Sequence, residues 1–216
     1  MYKYILFDLD GTLTDSQEGI INSIKYALKK FDIIETDFYK LKKFLGPPLI
    51  DSFKIYYDFS DEAANEAVSF YREYFNSKGI YENKIYNGII DLLEKLCDYG
   101  CKLIVATSKP EPFTFKILDY FDLLKYFTFV AGSNMDNTRK DKEEIIKYVL
   151  KNCDINDLSE TVMIGDRKHD IIGAGKAGID SIGVLYGYGN VKELNEAGAT
   201  HIAVNTDEIY NIITKG

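Results

Sequence analysis

The sequence predicts a doubly wound parallel α/β sheet, interrupted after its first strand by a helical insertion. From residue 85 onward, short apolar runs alternate with amphipathic helical patterns, which is typical of a parallel sheet covered by helices on both faces. Residues 16–84 carry helical periodicity and no convincing strand. We therefore expect an α/β core of residues 1–15 and 85–216, with a helical insertion of residues 16–84.

The first predicted strand is the apolar run Tyr4-Ile5-Leu6-Phe7, close to the start of the chain. It is followed by Asp8 and Asp10, whose side chains share one side of an extended segment because they are two residues apart. Gly11 permits a tight turn and close approach of the backbone to a ligand, and Thr12 adds a hydroxyl group. Two carboxylates, a glycine turn and a hydroxyl group at the carboxyl edge of a parallel sheet can bind a metal ion and a phosphoryl group.

Four helices are predicted in the insertion from the spacing of its apolar residues. Ser16 is a candidate N-cap for the first helix, and the second stops at Gly46-Pro47-Pro48 because proline lacks an amide donor. Aromatic residues recur at helical spacing, which favours core packing, although a nucleobase could stack on some of them. The predicted helices cover residues 16–31, 36–45, 49 onward and 60–78.

The core is predicted to resume at residue 85 with alternating helices and strands. Their ranges are helix 88–99, strand 102–106, helix 113–120, strand 127–131, helix 141–150, strand 161–164, helix 170–177 and strand 181–185. Thr107 and Ser108 follow one of these strands, and Asp166 follows another, with Asp170 one helical turn later. Ligands of open α/β sheets bind beyond the carboxyl ends of the strands, so these residues are candidate site residues.

Charge and composition exclude several classes of protein. The net charge of −8 argues against nucleic-acid binding, which needs a basic surface, but it does not oppose a small phosphorylated metabolite. Lys3 precedes only a short apolar run, and no segment approaches the ~20 apolar residues of a membrane span. We therefore expect a cytoplasmic protein without a signal peptide or a membrane contact. Whether it is a monomer or a homodimer stays open.

Three motifs carry a resemblance to a known family. Asp8-Leu9-Asp10-Gly11-Thr12 resembles motif I, DxDGT, of the haloacid dehalogenase (HAD) superfamily in its phosphatase branch. The apolar strand that ends at Thr107 resembles motif II, and the stretch from Gly165 to Asp170 resembles motif IV, GDxxxD. The resemblance covers essentially the whole chain. It implies a Rossmann-like core with an inserted helical cap of the C1 type.

The resemblance also implies a Mg²⁺-dependent phosphomonoesterase. In the family's mechanism, Asp8 attacks phosphorus and Asp10 acts as general acid and then general base. Thr107 would donate a hydrogen bond to the phosphoryl group, and Gly11, Thr12 and Ser108 would contact the substrate. The implied metal ligands are the carboxylates of Asp8 and Asp166 and the backbone carbonyl of Asp10, and Asp170 would support the metal site, often through water.

The family's third motif is a lysine, and the sequence offers two candidates. Lys140 and Lys142 lie close together at the start of a predicted helix. We favour Lys142 because the spacing Arg139-x-x-Lys142 resembles that of nucleotidase-like relatives. Such a lysine would neutralise both Asp8 and the bound phosphate, whose charges otherwise repel each other. A solvated charge run is the alternative for this stretch.

The substrate is less well specified. The turn around Gly46 resembles the cap loop of phosphoglycolate-phosphatase-like relatives that reaches the site, and is equally consistent with an ordinary interhelical turn. Together with Arg139-x-x-Lys142 and Gly187-Tyr188-Gly189, it favours the 5′-nucleotidase-like subgroup. A β-phosphoglucomutase-like phosphotransferase is the enzymatic alternative. A catalytically idle HAD-like binding module is disfavoured by the intact set of motif residues.

Overall fold

The computed structural model describes residues 1–136 and 138–215. The chain divides into two compact units. The first comprises Met1–Thr14 and the chain from Ile85 onward, and the second comprises Asp15–Lys84. The strands are β1 (Tyr4–Phe7), β2 (Thr14–Asp15), β3 (Lys84–Ile85), β4 (Lys102–Pro110), β5 (Phe127–Ser133), β6 (Thr161–Gly165), β7 (Asp180–Val184) and β8 (His201–Ala203).

Six strands of the first unit form a parallel sheet in the spatial order β5-β4-β1-β6-β7-β8. The chain runs outward from β1 to β5, and then returns to the other side of β1 and runs outward again to β8. This reversal makes β1 and β6 neighbours at the point where open α/β sheets bind their ligands. The predicted parallel α/β fold is confirmed.

Helices follow most strands of the sheet, and four more form the second unit. The helices are α1 (Gln17–Lys29), α2 (Phe38–Lys42), α3 (Leu49–Tyr57), α4 (Asp61–Tyr74), α5 (Ile89–Asp98), α6 (Glu111–Tyr120), α7 (Lys142–Asn152), α8 (Lys168–Ala177), α9 (Val191–Glu196) and α10 (Thr206–Lys215). None of the helices within the described ranges has the length and apolarity needed to span a membrane.

Both faces of the central strands are buried, as the near-continuous apolar runs predict. Leu6 of β1 lies in register with Ile104 of β4 and Met163 of β6. These residues pack with Ile145 of α7 and Ala174 of α8 in one hydrophobic cluster. The alternate residues of β1 are also fully buried, so both faces of this strand are covered up to the end that carries Asp8.

Two details of the second unit correct the sequence analysis. The predicted helix 36–45 is only five residues long. The Asp37 side chain caps its start by accepting hydrogen bonds from the amides of Tyr39 and Lys40, and the three amides after Lys42 donate to carbonyls three residues back, which ends the α-helical pattern. Ser16 holds the N-cap position of α1, but its side chain makes no capping hydrogen bond. The N-cap position predicted for Ser16 is therefore confirmed, but the side-chain capping bond is not formed.

Aromatic side chains form much of the interior of the second unit. Phe44 and Phe53 are buried, and their ring centroids lie 5.1 Å apart. Phe53 also stacks on Phe59 at 5.8 Å. Core packing, the role favoured by their helical spacing, therefore holds for these rings. Tyr39 is 80% exposed and does not share that role.

Candidate active site

The candidate catalytic residues lie at the carboxyl edge of the sheet, around β1, β4 and β6. Asp8 follows β1 directly, Thr107 lies in β4, and Asp166 follows β6. Because β1 pairs with β4 on one side and with β6 on the other, residues far apart in the sequence converge here. This edge includes the point at which the strand order reverses.

Lys142, the first residue of α7, is a buried ammonium group between two carboxylates. Its Nζ lies 2.9 Å from Asp8 Oδ1 and 2.7 Å from Asp170 Oδ1, and it donates a hydrogen bond to the Ala106 carbonyl at 3.0 Å. Burial by itself lowers the pKa of Lys142, but Asp170 and Asp8 more than offset this effect and raise it above its ordinary value. Lys142 therefore stays positively charged.

Lys140, the other candidate from the sequence, is exposed. The position of Lys142 depends on a glycine that the sequence analysis did not single out. A Cβ atom added to Gly173 of α8 would lie 2.8 Å from the Cβ of Lys142. The absence of a side chain at Gly173 thus gives the lysine stem room to reach Asp8.

Asp8, Asp166 and Asp170 form a cluster that could hold a metal ion, with one carboxylate oxygen of each within 4.8 Å of the others. Asp166 and Asp170 are fully buried. Asp166 Oδ2 accepts a hydrogen bond from the Tyr188 amide at 2.7 Å, and Asp170 Oδ2 accepts one from the Arg167 amide at 3.1 Å. Backbone amides therefore orient two of the three carboxylates.

This set of donors fits a hard divalent cation such as Mg²⁺, which prefers carboxylate oxygens. Burial, followed by the negative charges of Asp170 and Asp8, raises the pKa of Asp166 well above its ordinary value. Burial also raises the pKa of Asp8. These raised pKa values show that the carboxylates do not readily ionise together, so a bound cation would stabilise their charged forms. The Asp10 carboxylate is not part of this cluster, and the role of its backbone carbonyl stays a prediction.

We expect Mg²⁺ to stabilise the protein at neutral pH through these carboxylates. Asp8 and Asp166 have folded-state pKa values above their unfolded values. Their contribution to stability is therefore complete below the unfolded pKa and is lost as the pH rises through the folded pKa. Mg²⁺ binds the ionised carboxylates, so saturating Mg²⁺ at pH 7 should raise the thermal unfolding midpoint by about 5 °C.

Thermal unfolding in Mg²⁺ and in EDTA at pH 5 and pH 7 measures this effect. The increase with Mg²⁺ should be larger at pH 7 than at pH 5, since protonated carboxyl groups do not bind the ion. Asp166→Asn should lose most of the increase at both pH values. An Asp166→Asn protein that is stabilised as strongly as the wild type would show that the metal binds elsewhere.

Gly11 packs against Asp166 and leaves no room for a side chain. Its φ is +86°, and an added Cβ would lie 2.3 Å from Asp166 Oδ2. Gly11→Ala should lower the free energy of unfolding by about 2–4 kcal/mol, because it combines a strained backbone with a steric clash. Gly100 is the matched control, since its φ is +93° and an added Cβ would meet nothing within 4 Å.

Gly100→Ala should cost only the backbone strain, about 1 kcal/mol. Urea denaturation of both variants separates the two contributions. Equal losses in Gly11→Ala and Gly100→Ala would mean that the contact with Asp166 adds nothing.

Thr12 is fully buried beside Asp166. Its Oγ1 lies 3.5 Å from Asp166 Oδ1, and its carbonyl accepts a hydrogen bond from the Tyr186 hydroxyl at 3.1 Å. Thr12 therefore lines the carboxylate cluster. The substrate contacts predicted for Gly11 and Thr12 stay predictions.

The two hydroxyl residues at the end of the motif II strand differ in environment. Thr107 is buried beside Asp8, and its Oγ1 accepts a hydrogen bond from the Lys109 amide at 3.3 Å. Ser108 is exposed. Thr107 thus has the fixed position that a phosphate-binding hydroxyl needs, and the substrate contacts of both residues stay predictions.

Lys109 is a charged residue of this region that the sequence analysis missed. Its Nζ lies 2.6 Å from Asp10 Oδ2, and its side chain is 7% exposed. The alternation of Thr107, Ser108 and Lys109 along an extended segment is the signal that could have found it, since the first and third of these side chains share a side.

Gly46 belongs to the second unit and has a φ of +104°. A residue with this backbone angle suits a turn, as the sequence predicts. The predicted contact of Gly46 with the substrate stays a prediction.

Comparison with known proteins agrees with this geometry. Residues 5–184 match the haloacid dehalogenase-like hydrolase family. A 5′-nucleotidase of Pseudomonas aeruginosa is 42% identical over 212 residues, which cover 98% of this chain and 96% of the relative. Tyrosine-protein kinase PtkA of Mycobacterium tuberculosis is 35% identical over 210 residues, which cover 96% of this chain and 71% of the kinase.

A solved structure supports the same assignment. The crystal structure of a predicted phosphatase from Clostridium acetobutylicum superposes with a TM-score of 0.94 at 49% identity, and the match covers 100% of both chains. The family match, the carboxylate cluster and the buried lysine agree with one another. This chain belongs to the haloacid dehalogenase-like hydrolase family, in its phosphatase branch.

Proposed function

We propose that this protein is a Mg²⁺-dependent phosphomonoester hydrolase that acts on a small phosphorylated metabolite through an aspartyl-phosphate on Asp8. The buried Lys142 ammonium, which contacts both Asp8 and Asp170, is the observation that carries the proposal. It supplies the fixed positive charge that an anionic nucleophile and an anionic phosphoryl group need in order to approach each other.

Asp8, Asp166 and Asp170 would hold the metal ion, which when bound offsets the negative charge of the phosphoryl oxygens. A carboxylate oxygen of Asp8 attacks phosphorus as the bond to the leaving oxygen breaks, and Asp10 gives its proton to that oxygen. Asp10 then takes a proton from the water that hydrolyses the aspartyl-phosphate. Lys142 and Thr107 hold Asp8 and the transferred group in place.

A nucleoside 5′-monophosphate is our first candidate substrate, because the Pseudomonas relative is named a 5′-nucleotidase. Phosphoglycolate is the other candidate, on the resemblance of the Gly46 turn. The acidic net charge of −8 supports a small substrate over nucleic acid. We place this reaction in the cytoplasm, in a monomer or a homodimer.

A phosphotransferase is the second candidate function, because one relative is named a tyrosine-protein kinase. Such an enzyme would move the phosphoryl group from the same Asp8 to a hydroxyl group of an acceptor. Release of inorganic phosphate in the absence of any acceptor distinguishes the two reactions.

The test is phosphate release from a panel of nucleotides, phosphoglycolate, sugar phosphates and an aryl phosphate, with Mg²⁺ and with EDTA. We expect Mg²⁺-dependent release, fastest with a nucleoside 5′-monophosphate. Release that needs an added acceptor would favour the phosphotransferase. A protein that binds a phosphate analogue but turns over none of these compounds would favour the idle binding module.

A further inference from the structure

Lys109 and Asp10 form an ion pair at the edge of the carboxylate cluster. Lys109 Nζ lies 2.6 Å from Asp10 Oδ2, and the two side chains are 7% and 22% exposed. The other oxygen, Asp10 Oδ1, is buried and has no hydrogen-bond partner among the described residues. The two oxygens of this carboxylate therefore have different environments.

The strand places Lys109 for this contact. Thr107 is buried, Ser108 is exposed and Lys109 is again largely buried, as expected when alternate residues of an extended strand face one side. Thr107 and Lys109 of β4 thus lie toward Asp8 and Asp10, which follow β1. Each of these two carboxylates faces a residue of the neighbouring strand.

A carboxylate that transfers protons must keep one orientation in a crowded negative site. Asp10 lies two residues after Asp8, which belongs to the carboxylate cluster, and carboxylates of like charge repel each other. An ammonium group on Oδ2 opposes this repulsion and fixes the rotamer. The ammonium group does not occupy Oδ1. A buried polar atom without a hydrogen-bond partner costs free energy until a ligand supplies that partner.

We propose that Lys109 is a positioning residue, which holds Asp10 through Oδ2 so that Oδ1 exchanges the proton with the substrate. In the first half-reaction, a proton on Oδ1 passes to the leaving oxygen as its bond to phosphorus breaks. In the second, Oδ1 takes a proton from the attacking water. The inference rests on the proposed phosphatase function.

The test compares two substrates that differ in their need for a general acid. An aryl phosphate has a stable leaving group and needs little protonation, whereas an alkyl phosphate needs it strongly. Lys109→Met should lower kcat/KM for the alkyl phosphate by about 10- to 100-fold and for the aryl phosphate by much less. kcat/KM is the appropriate quantity, because it reports the steps up to departure of the leaving group.

Three further variants complete the design. Lys109→Arg should recover part of the alkyl phosphate activity, because it keeps the positive charge. Asp10→Asn with Lys109→Met should be no slower than Asp10→Asn alone, since a residue that acts through Asp10 loses its effect when Asp10 is removed. Lys151→Met is the matched control, because Lys151 is an exposed lysine of α7, and it should match the wild type.

Two results would overturn the inference while leaving the phosphatase intact. One is an equal loss for both substrates in Lys109→Met, which would mean that Lys109 contacts the phosphoryl group itself. The other is a double variant that is slower than Asp10→Asn by the full Lys109→Met factor. A wild-type protein that releases phosphate from neither substrate would instead refute the proposed function, and the role of Lys109 with it.

Discussion

Asp8→Asn should abolish phosphate release, with a loss of more than about 1,000-fold in kcat. The amide that replaces the carboxylate has nearly the same shape, but it lacks the anionic oxygen that attacks phosphorus. Asp8 follows β1 and is fixed by its contact with Lys142 at 2.9 Å, so no other carboxylate can take over its position without a shift of the strand.

Phosphate release and acid-quenched protein mass measure the two parts of this prediction. The wild type should show a transient gain of one phosphoryl group, and Asp8→Asn should show none. An Asp8→Asn protein that retains a tenth of the wild-type rate, or still carries a phosphoryl group after the quench, would refute Asp8 as the nucleophile. Its thermal unfolding should be followed in parallel to show that it is folded.

Lys142→Met should inactivate the enzyme and destabilise it. The methionine side chain keeps much of the buried stem but leaves Asp8 and Asp170 facing each other without the ammonium that contacts both. Breaking a buried ion pair by removing one partner costs about 3–5 kcal/mol, and we expect a loss of this size in the metal-free protein. The same change should lower kcat by at least about 1,000-fold.

Lys140→Met is the matched control, since Lys140 is exposed and lies two residues away in the sequence. It should leave both the rate and the free energy of unfolding within experimental error of the wild type. Urea denaturation in EDTA and phosphate release in Mg²⁺ measure the two effects for each variant. If Lys140→Met lost more activity and more stability than Lys142→Met, then Lys140 and not Lys142 would be the counter-charge of Asp8.

The fold was largely predictable because its elements depend on local patterns. The strands that form the centre of the sheet are continuous apolar runs, and a parallel sheet with both faces covered requires such runs. Prediction failed where short-range hydrogen bonds set the bounds of an element. The helix expected over residues 36–45 covers only Phe38–Lys42. A side-chain cap at Asp37 sets its start and hydrogen bonds to carbonyls three residues back follow its end, and apolar spacing alone predicts neither.

The candidate site was predictable in part. Asp8, Asp166 and Asp170 stand in a recognisable pattern, and the structure brings them together within 4.8 Å. The sequence left Lys140 and Lys142 as alternatives, because both lie at the start of the same helix and carry the same charge. The choice depends on which side chain α7 directs toward β1, and on the space that Gly173 of α8 leaves for it.

The sequence by itself determined the alternation of strands and helices, the helical insertion and the acidic residues at the strand ends, because each of these features depends on adjacent or regularly spaced residues. Only the tertiary structure decided which cations meet those carboxylates. Lys109 and Asp10 are 99 residues apart in the chain, and their contact exists because β1 and β4 are neighbours in the sheet. From the sequence alone, Lys109 is indistinguishable from a solvated surface lysine. Its burial beside Asp10 in the folded protein makes it a fixed counter-charge for that carboxylate.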